Sequence, residues 1–140
     1  FVMKMGMLTD KQLEDGLKTL NDHEGHDAGD GVLRRIGNIL IQLIQHTPYS
    51  ASRIGGDEFV VLLPGADEAA LQNCLQSLHE LMMVDNQFYS NQPINLSMGH
   101  ATNFEHERIE DMLKRADHEM YQQKKNYYQN LGRSNLSGLS

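Results

Sequence analysis

Alternating helical and extended apolar patterns predict an α/β sandwich, with helices packed on a small sheet. Three observations carry this expectation. Leu, Ile and Val recur at helical spacing in several long stretches. Two short extended segments flank a Gly55-Gly56 turn. A third extended segment, residues 94–101, alternates apolar and polar side chains. Three strands make a thin sheet for a chain of 140 residues, so a further strand is expected to be hidden or absent.

In chain order, residues 1–7 are apolar but too short to span a membrane, and they lack the charged lead and cleavage site of a leader. Thr9-Asp10-Lys11-Gln12 reads as a capping box, followed by Leu13, Leu17 and Leu20 at helical spacing. Residues 21–31, rich in Gly, Asp and His, read as a loop. Val32, Leu33, Ile36, Ile39, Leu40, Leu43 and Ile44 define an amphipathic helix that ends before Pro48. After the second strand, Pro64-Gly65 marks a turn. Asp67 then opens a helix carrying Leu71, Cys74, Leu75, Leu78, Leu81 and Met82. Residues 86–93 read as a loop. Ile109, Met112, Leu113, Ala116 and Met120 mark a last helix, ending near Tyr127. The expected organisation is one domain over residues 1–130 and a flexible tail over 131–140, rich in Ser, Gly and Asn.

Composition narrows the function. A formal charge of −7 argues against general nucleic-acid or anionic-membrane binding. The single cysteine, Cys74, excludes an internal disulfide framework and fits a reducing, cytoplasmic setting, with any membrane tether lying outside this chain. Its place in an apolar helical stripe makes it a core residue. The seven histidines show no ligand spacing, apart from His100 and His106 across an expected loop, and no zinc site is expected.

The chemistry concentrates in residues 52–64, SRIGGDEFVVLLP. The glycines allow positive φ and close approach of a bulky polyanion. Asp57 and Glu58 supply the hard oxygens that Mg²⁺ prefers. The apolar run after them forms a short buried strand that would hold the turn. An ordinary hairpin with acidic turn residues has the same local pattern, and the rest of the chain decides. Gly16-Leu17-Lys18-Thr19-Leu20-Asn21-Asp22, Gly25-His26-Asp27-Ala28-Gly29-Asp30, Ser97-Met98-Gly99, and Ala116-Asp117 with Tyr121 and Lys124 follow in order. Together with Gly55-Gly56-Asp57-Glu58-Phe59 they resemble the GGDEF domain, the diguanylate cyclase family of bacterial signalling proteins, over most of the chain.

The resemblance implies an α/β (α+β) palm-type nucleotidyl-cyclase-like sandwich, its central mixed or antiparallel sheet flanked by helices, that condenses two GTP into cyclic di-GMP with release of pyrophosphate. It implies Mg²⁺, with Mn²⁺ as an alternative, held by Asp57 and Glu58, and a role for Glu58 toward the attacking hydroxyl. Gly55 and Gly56 would let the triphosphate approach, Asn21 and Asp30 would read guanine, and Lys124 would contact phosphate, with Lys18 and the backbone of residues 16–18 beside it. Without the family, Asn21 and Asp30 read as helix caps and Lys124 as a solvated lysine. The implied partners are GTP, a second GGDEF domain in a catalytic homodimer, and an upstream sensor domain. Neither nucleic-acid binding nor direct membrane insertion is implied.

Three features depart from the family pattern. Leu13 stands where the first metal-binding Asp is implied, and the apolar strand expected just before it is replaced by the polar residues 9–14. Asp15 or Glu14 as a substitute ligand, a chain joined across deleted residues, and a site that binds without turnover all remain open. Tyr128 replaces an implied phosphate-binding Arg. His46-Thr47-Pro48-Tyr49 replaces the R-x-x-D inhibitory element, so product feedback through that element is not expected. The rival readings are a degenerate GGDEF module that binds GTP or cyclic di-GMP to regulate a partner, and a palm-type cyclase making another cyclic nucleotide.

Overall fold

The computed structural model describes residues 1–8, 26–102 and 106–137, with residues 26–30 and 131–137 as helical backbone alone. The elements run β1 (Val2–Met7), α1 (His26–Ile44), β2 (Ser50–Gly55), β3 (Glu58–Leu62), α2 (Glu68–Phe88), β4 (Leu96–Ala101) and α3 (Ile109–Ser137). The strands form one sheet of order β2-β3-β1-β4, and every pairing is antiparallel.

The strand hidden in the sequence is β1, formed from the apolar segment at the start of the chain. It lies in the middle of the sheet, pairing Met5 with Phe59 on one side and with Met98 on the other. Covered on both faces, it needs apolar residues at nearly every position rather than alternation. Val2, Met3 and Met5 are accordingly buried.

Two layers of helix cover the sheet. On one face, Met3, Met5, Phe59, Val61 and Leu96 pack with Ile36, Ile39 and Leu40 of α1 and Leu71, Cys74 and Leu78 of α2. On the other, Val2 and Val60 meet Met112 and Leu113 of α3. Arg35 ties α1 to α2: its Nε donates to Asp85 Oδ2 at 2.9 Å, Nη1 donates to the Gln92 carbonyl, and its guanidinium lies 4.2 Å over the Tyr89 ring. Asp67 caps α2, accepting from the Ala70 amide at 2.8 Å.

The helices are longer than the sequence pattern predicts. α1 begins at His26, inside the expected loop. α2 runs on to Phe88, into the expected loop of residues 86–93. α3 passes Tyr127 and continues to Ser137, through most of the expected tail. No proline interrupts that stretch, and a single Gly132 costs a helix only about 1 kcal/mol.

Candidate active site

The Gly-Gly turn is a hairpin closed by pairing of Gly55 with Glu58, and a register shift between Arg53 and Gly55 kinks β2 into it. Gly55 has φ +156° and Gly56 φ +44°. A Cβ at either would meet no atom within 4 Å, so torsion rather than crowding calls for glycine here. The Arg53 Nε donates to the Gly56 carbonyl at 2.8 Å and braces the turn. The Asp57 carbonyl accepts from the Met7 amide at 3.3 Å, fastening the turn to the end of β1. Asp57 and Glu58 are half-buried.

Sheet topology decides what shares this end. Because β1 is antiparallel to both neighbours, its C-terminus lies beside the start of β3 and the start of β4. α3 crosses the same face lengthwise. Met112 lies near Val2, Met120 touches Gly6, and Gln123 accepts from the Met98 amide at 3.0 Å. The next residue, Lys124, is half-buried at the end of the sheet that carries the turn. With Tyr121, Lys125, Tyr128 and Gln129 it lines a hollow of about 440 Å³. A hollow of about 470 Å³ between α1 and β2 is lined by Leu33, Ile41, Ile44, Ala51 and Phe59, with Arg34 and Arg53. It offers no carboxylate among its described lining residues.

The Ser97-Met98-Gly99 motif acquires a packing reason. A Cβ on Gly99 would stand 1.9 Å from the Ala116 carbonyl oxygen and 2.5 Å from the Met120 amide. Gly99 and the fully buried Ala116 therefore let α3 lie directly on β4. Asp117, the next residue, turns toward the sheet and accepts a hydrogen bond from Lys4 Nζ at 2.6 Å. The same ammonium lies 3.5 Å from Glu58 Oε2. Burial pulls the Lys4 pKa down. The hydrogen bond to Asp117 and the charges of Glu58 and Asp117 more than offset it, holding the ammonium above the ordinary lysine value. Sequence reasoning missed Lys4. The signal available was a lone cation inside an otherwise apolar run of residues 1–7.

Of the sequence-predicted residues, Gly55, Gly56, Asp57, Glu58 and Lys124 come to one end of the sheet. Asp30 stands near the start of α1, which joins β2 through a short turn and so runs back beside it toward the same end. Asp15, Lys18 and Asn21 lie outside the described residues, as do Leu13, Gly16 and Leu17. On β1 the residue paired with Glu58 is Gly6, which offers no carboxylate. Among the described residues no group of three or more His, Cys, Asp or Glu could hold a metal ion. The donors present, two adjacent carboxylates, still fit Mg²⁺ in the mode where water and substrate phosphates complete the shell.

The family model described as "Diguanylate cyclase, GGDEF domain" matches residues 13–130. Diguanylate cyclase DgcS of Shewanella oneidensis is 37% identical over 112 residues, covering 79% of this chain and 36% of its own length. Diguanylate cyclase A of Treponema denticola is 30% identical over 115 residues, covering 80% of this chain and 31% of its own. The chain thus spans about a third of the length of these curated relatives. Among solved structures, the active GGEEF domain of a diguanylate cyclase from Vibrio cholerae superposes with a TM-score of 0.69 at 24% identity, over 89% of this chain and 76% of that one. The GGDEF domain of DgcB from Caulobacter crescentus, in complex with c-di-GMP, gives 0.68 at 23% identity, over 89% and 71%. The sheet order, the glycine turn with its two carboxylates and the match over most of the chain agree: this chain belongs to the GGDEF family of diguanylate cyclase domains.

Proposed function

We propose that this domain condenses two GTP molecules into cyclic di-GMP as the output module of a longer signalling protein. The observation that carries the reading is the convergence, at one end of the sheet, of the positive-φ glycine turn, Asp57 and Glu58, and the hollow around Lys124. In the reaction each 3′-hydroxyl attacks the α-phosphorus of the other GTP. Two ester P–O bonds form, two α–β phosphoanhydride bonds break, two pyrophosphates leave, and each hydroxyl releases a proton.

A bound Mg²⁺, or Mn²⁺, would neutralise phosphate charge at Asp57 and Glu58. The chain's own residues do the positioning. Gly55 and Gly56 keep the turn clear of Cβ atoms so that a triphosphate lies against the backbone. Asp57 is fastened at its carbonyl to β1 and holds its carboxylate at the sheet end. Glu58 faces the attacking hydroxyl. Lys124 and Lys125 place positive charge around the hollow. In this reading Asn21 and Asp30 read guanine, Lys18 serves the substrate phosphates, and Asp15 serves as a further metal ligand. One such site holds one GTP, so the reaction requires two domains face to face.

A second reading is favoured by one observation: the β1 residue paired with Glu58 is Gly6, not a carboxylate. In that reading the domain binds GTP or cyclic di-GMP and regulates a partner without turnover. Incubation with GTP and Mg²⁺, followed by chromatography, separates the two. The cyclase reading predicts cyclic di-GMP from the wild type and none from Asp57→Ala. Retained GTP binding with no product at high protein concentration would select the regulatory reading.

A further inference from the structure

β1 carries one charged residue, Lys4. Its side chain is only 13% exposed and sits in the central strand, opposite Val60 on one side and Gly99 on the other. An ammonium in such a place is tolerated only with partners. Both partners reach in from more exposed positions: Asp117 from α3 at 2.6 Å and Glu58 from the signature turn at 3.5 Å. The cation is therefore the fixed member of the cluster, and the carboxylates are its adjustable members.

The geometry points to Lys4 as a positioning residue that draws the Glu58 carboxylate toward α3 and weakens the grip of the signature turn on a divalent cation. The inference rests on the cation-binding reading of Asp57 and Glu58 and does not depend on turnover. A cation on Glu58 lies within a few ångströms of the Lys4 ammonium, and like charges so close repel even at a half-exposed site. Asp117 offsets part of that repulsion by neutralising Lys4. The two neighbours thus act in opposite directions on the same site. A lysine that merely supported the fold would behave otherwise, because its removal would loosen Glu58 and weaken cation binding.

Mn²⁺ titrated into the full chain, saturated with a GTP analogue whose α–β bridge cannot be cleaved, tests this through loss of the free-ion EPR signal. Asp57→Ala sets the background. The expected results are Mn²⁺ binding tightened about tenfold in Lys4→Met, unchanged within about twofold in Lys4→Arg, and weakened severalfold in Asp117→Asn. Lys4→Met binding no tighter than wild type would overturn the proposal. Should that variant not fold, Asp117→Asn binding Mn²⁺ as tightly as wild type overturns it alone. Wild-type binding no stronger than the Asp57→Ala background removes the cation turn itself, and this inference with it.

Discussion

Gly55 shows how far a single residue's role is written in the sequence. The Gly-Gly pair announces a turn, but the φ of +156° at Gly55 and the empty space around its would-be Cβ say why glycine is needed. Gly55→Ala is expected to destabilise the protein by about 1–3 kcal/mol through torsional strain alone, measured by urea unfolding. Asp57 and Glu58 were legible as acidic oxygens beside a turn. Lys4 was not, since nothing local tells a paired buried lysine from a solvated one; its meaning lies in residues 54 and 113 positions away. Cys74 was legible as core. Burial pushes its thiol above the ordinary cysteine value, so little reactive thiolate forms in the native state. Ellman's reagent at pH 8 should leave Cys74 largely unmodified in native protein and label it completely in denaturant. Rapid native labelling would place the thiol at an open surface.

Among the elements, α1, α2, β3 and β4 were legible because their apolar residues follow one period. β1 was not. Val-Met-Lys-Met-Gly-Met has one β-branched residue, and its three methionines suit helix as readily as strand. Only the positions on either side of it, strands far away in sequence, make it the centre of a sheet. Helix ends were also obscure, because extension to Phe88 and Ser137 needs only the absence of a strong breaker. The contact between β4 and α3 is the element-scale feature most sensitive to mutation. Adding one methyl group at Gly99 drives it into the Ala116 carbonyl, which is helix backbone and cannot turn aside. Gly99→Ala is expected to cost about 3 kcal/mol or more, seen in urea unfolding, and to displace α3 together with Asp117 and Lys124. Ser97→Ala loses only a 3.4 Å hydroxyl contact to the Gly6 carbonyl and should cost about 1 kcal/mol or less.

At the scale of the whole molecule, antiparallel order does what no local motif does. It brings residues 55–58, the end of β1, the start of β4 and Lys124 to one edge of the sandwich from separate parts of the chain. That convergence supports a one-GTP site, and it makes the proposed condensation a reaction between two domains. Specific activity should therefore rise with protein concentration, approaching proportionality while the domain is mainly monomeric, as followed by initial rates of pyrophosphate release. A specific activity independent of concentration, in protein shown to be monomeric, would argue against a two-domain reaction. Among the described residues no helix is long and apolar enough to cross a membrane, and the chain covers about a third of its curated relatives. Control by an upstream sensor domain is proposed.

One end of this sheet is proposed to be a single nucleotide and cation site. Paramagnetic broadening tests it most directly. Substoichiometric Mn²⁺ is added to ¹⁵N-labelled protein carrying the non-cleavable GTP analogue, and amide signals are followed. Selective loss of the signals of Gly56, Asp57, Glu58, Met7 and Lys124 is expected, with Leu62 and Ala101 at the far end of the sheet spared. Uniform broadening, or loss centred on the hollow between α1 and β2, would contradict it.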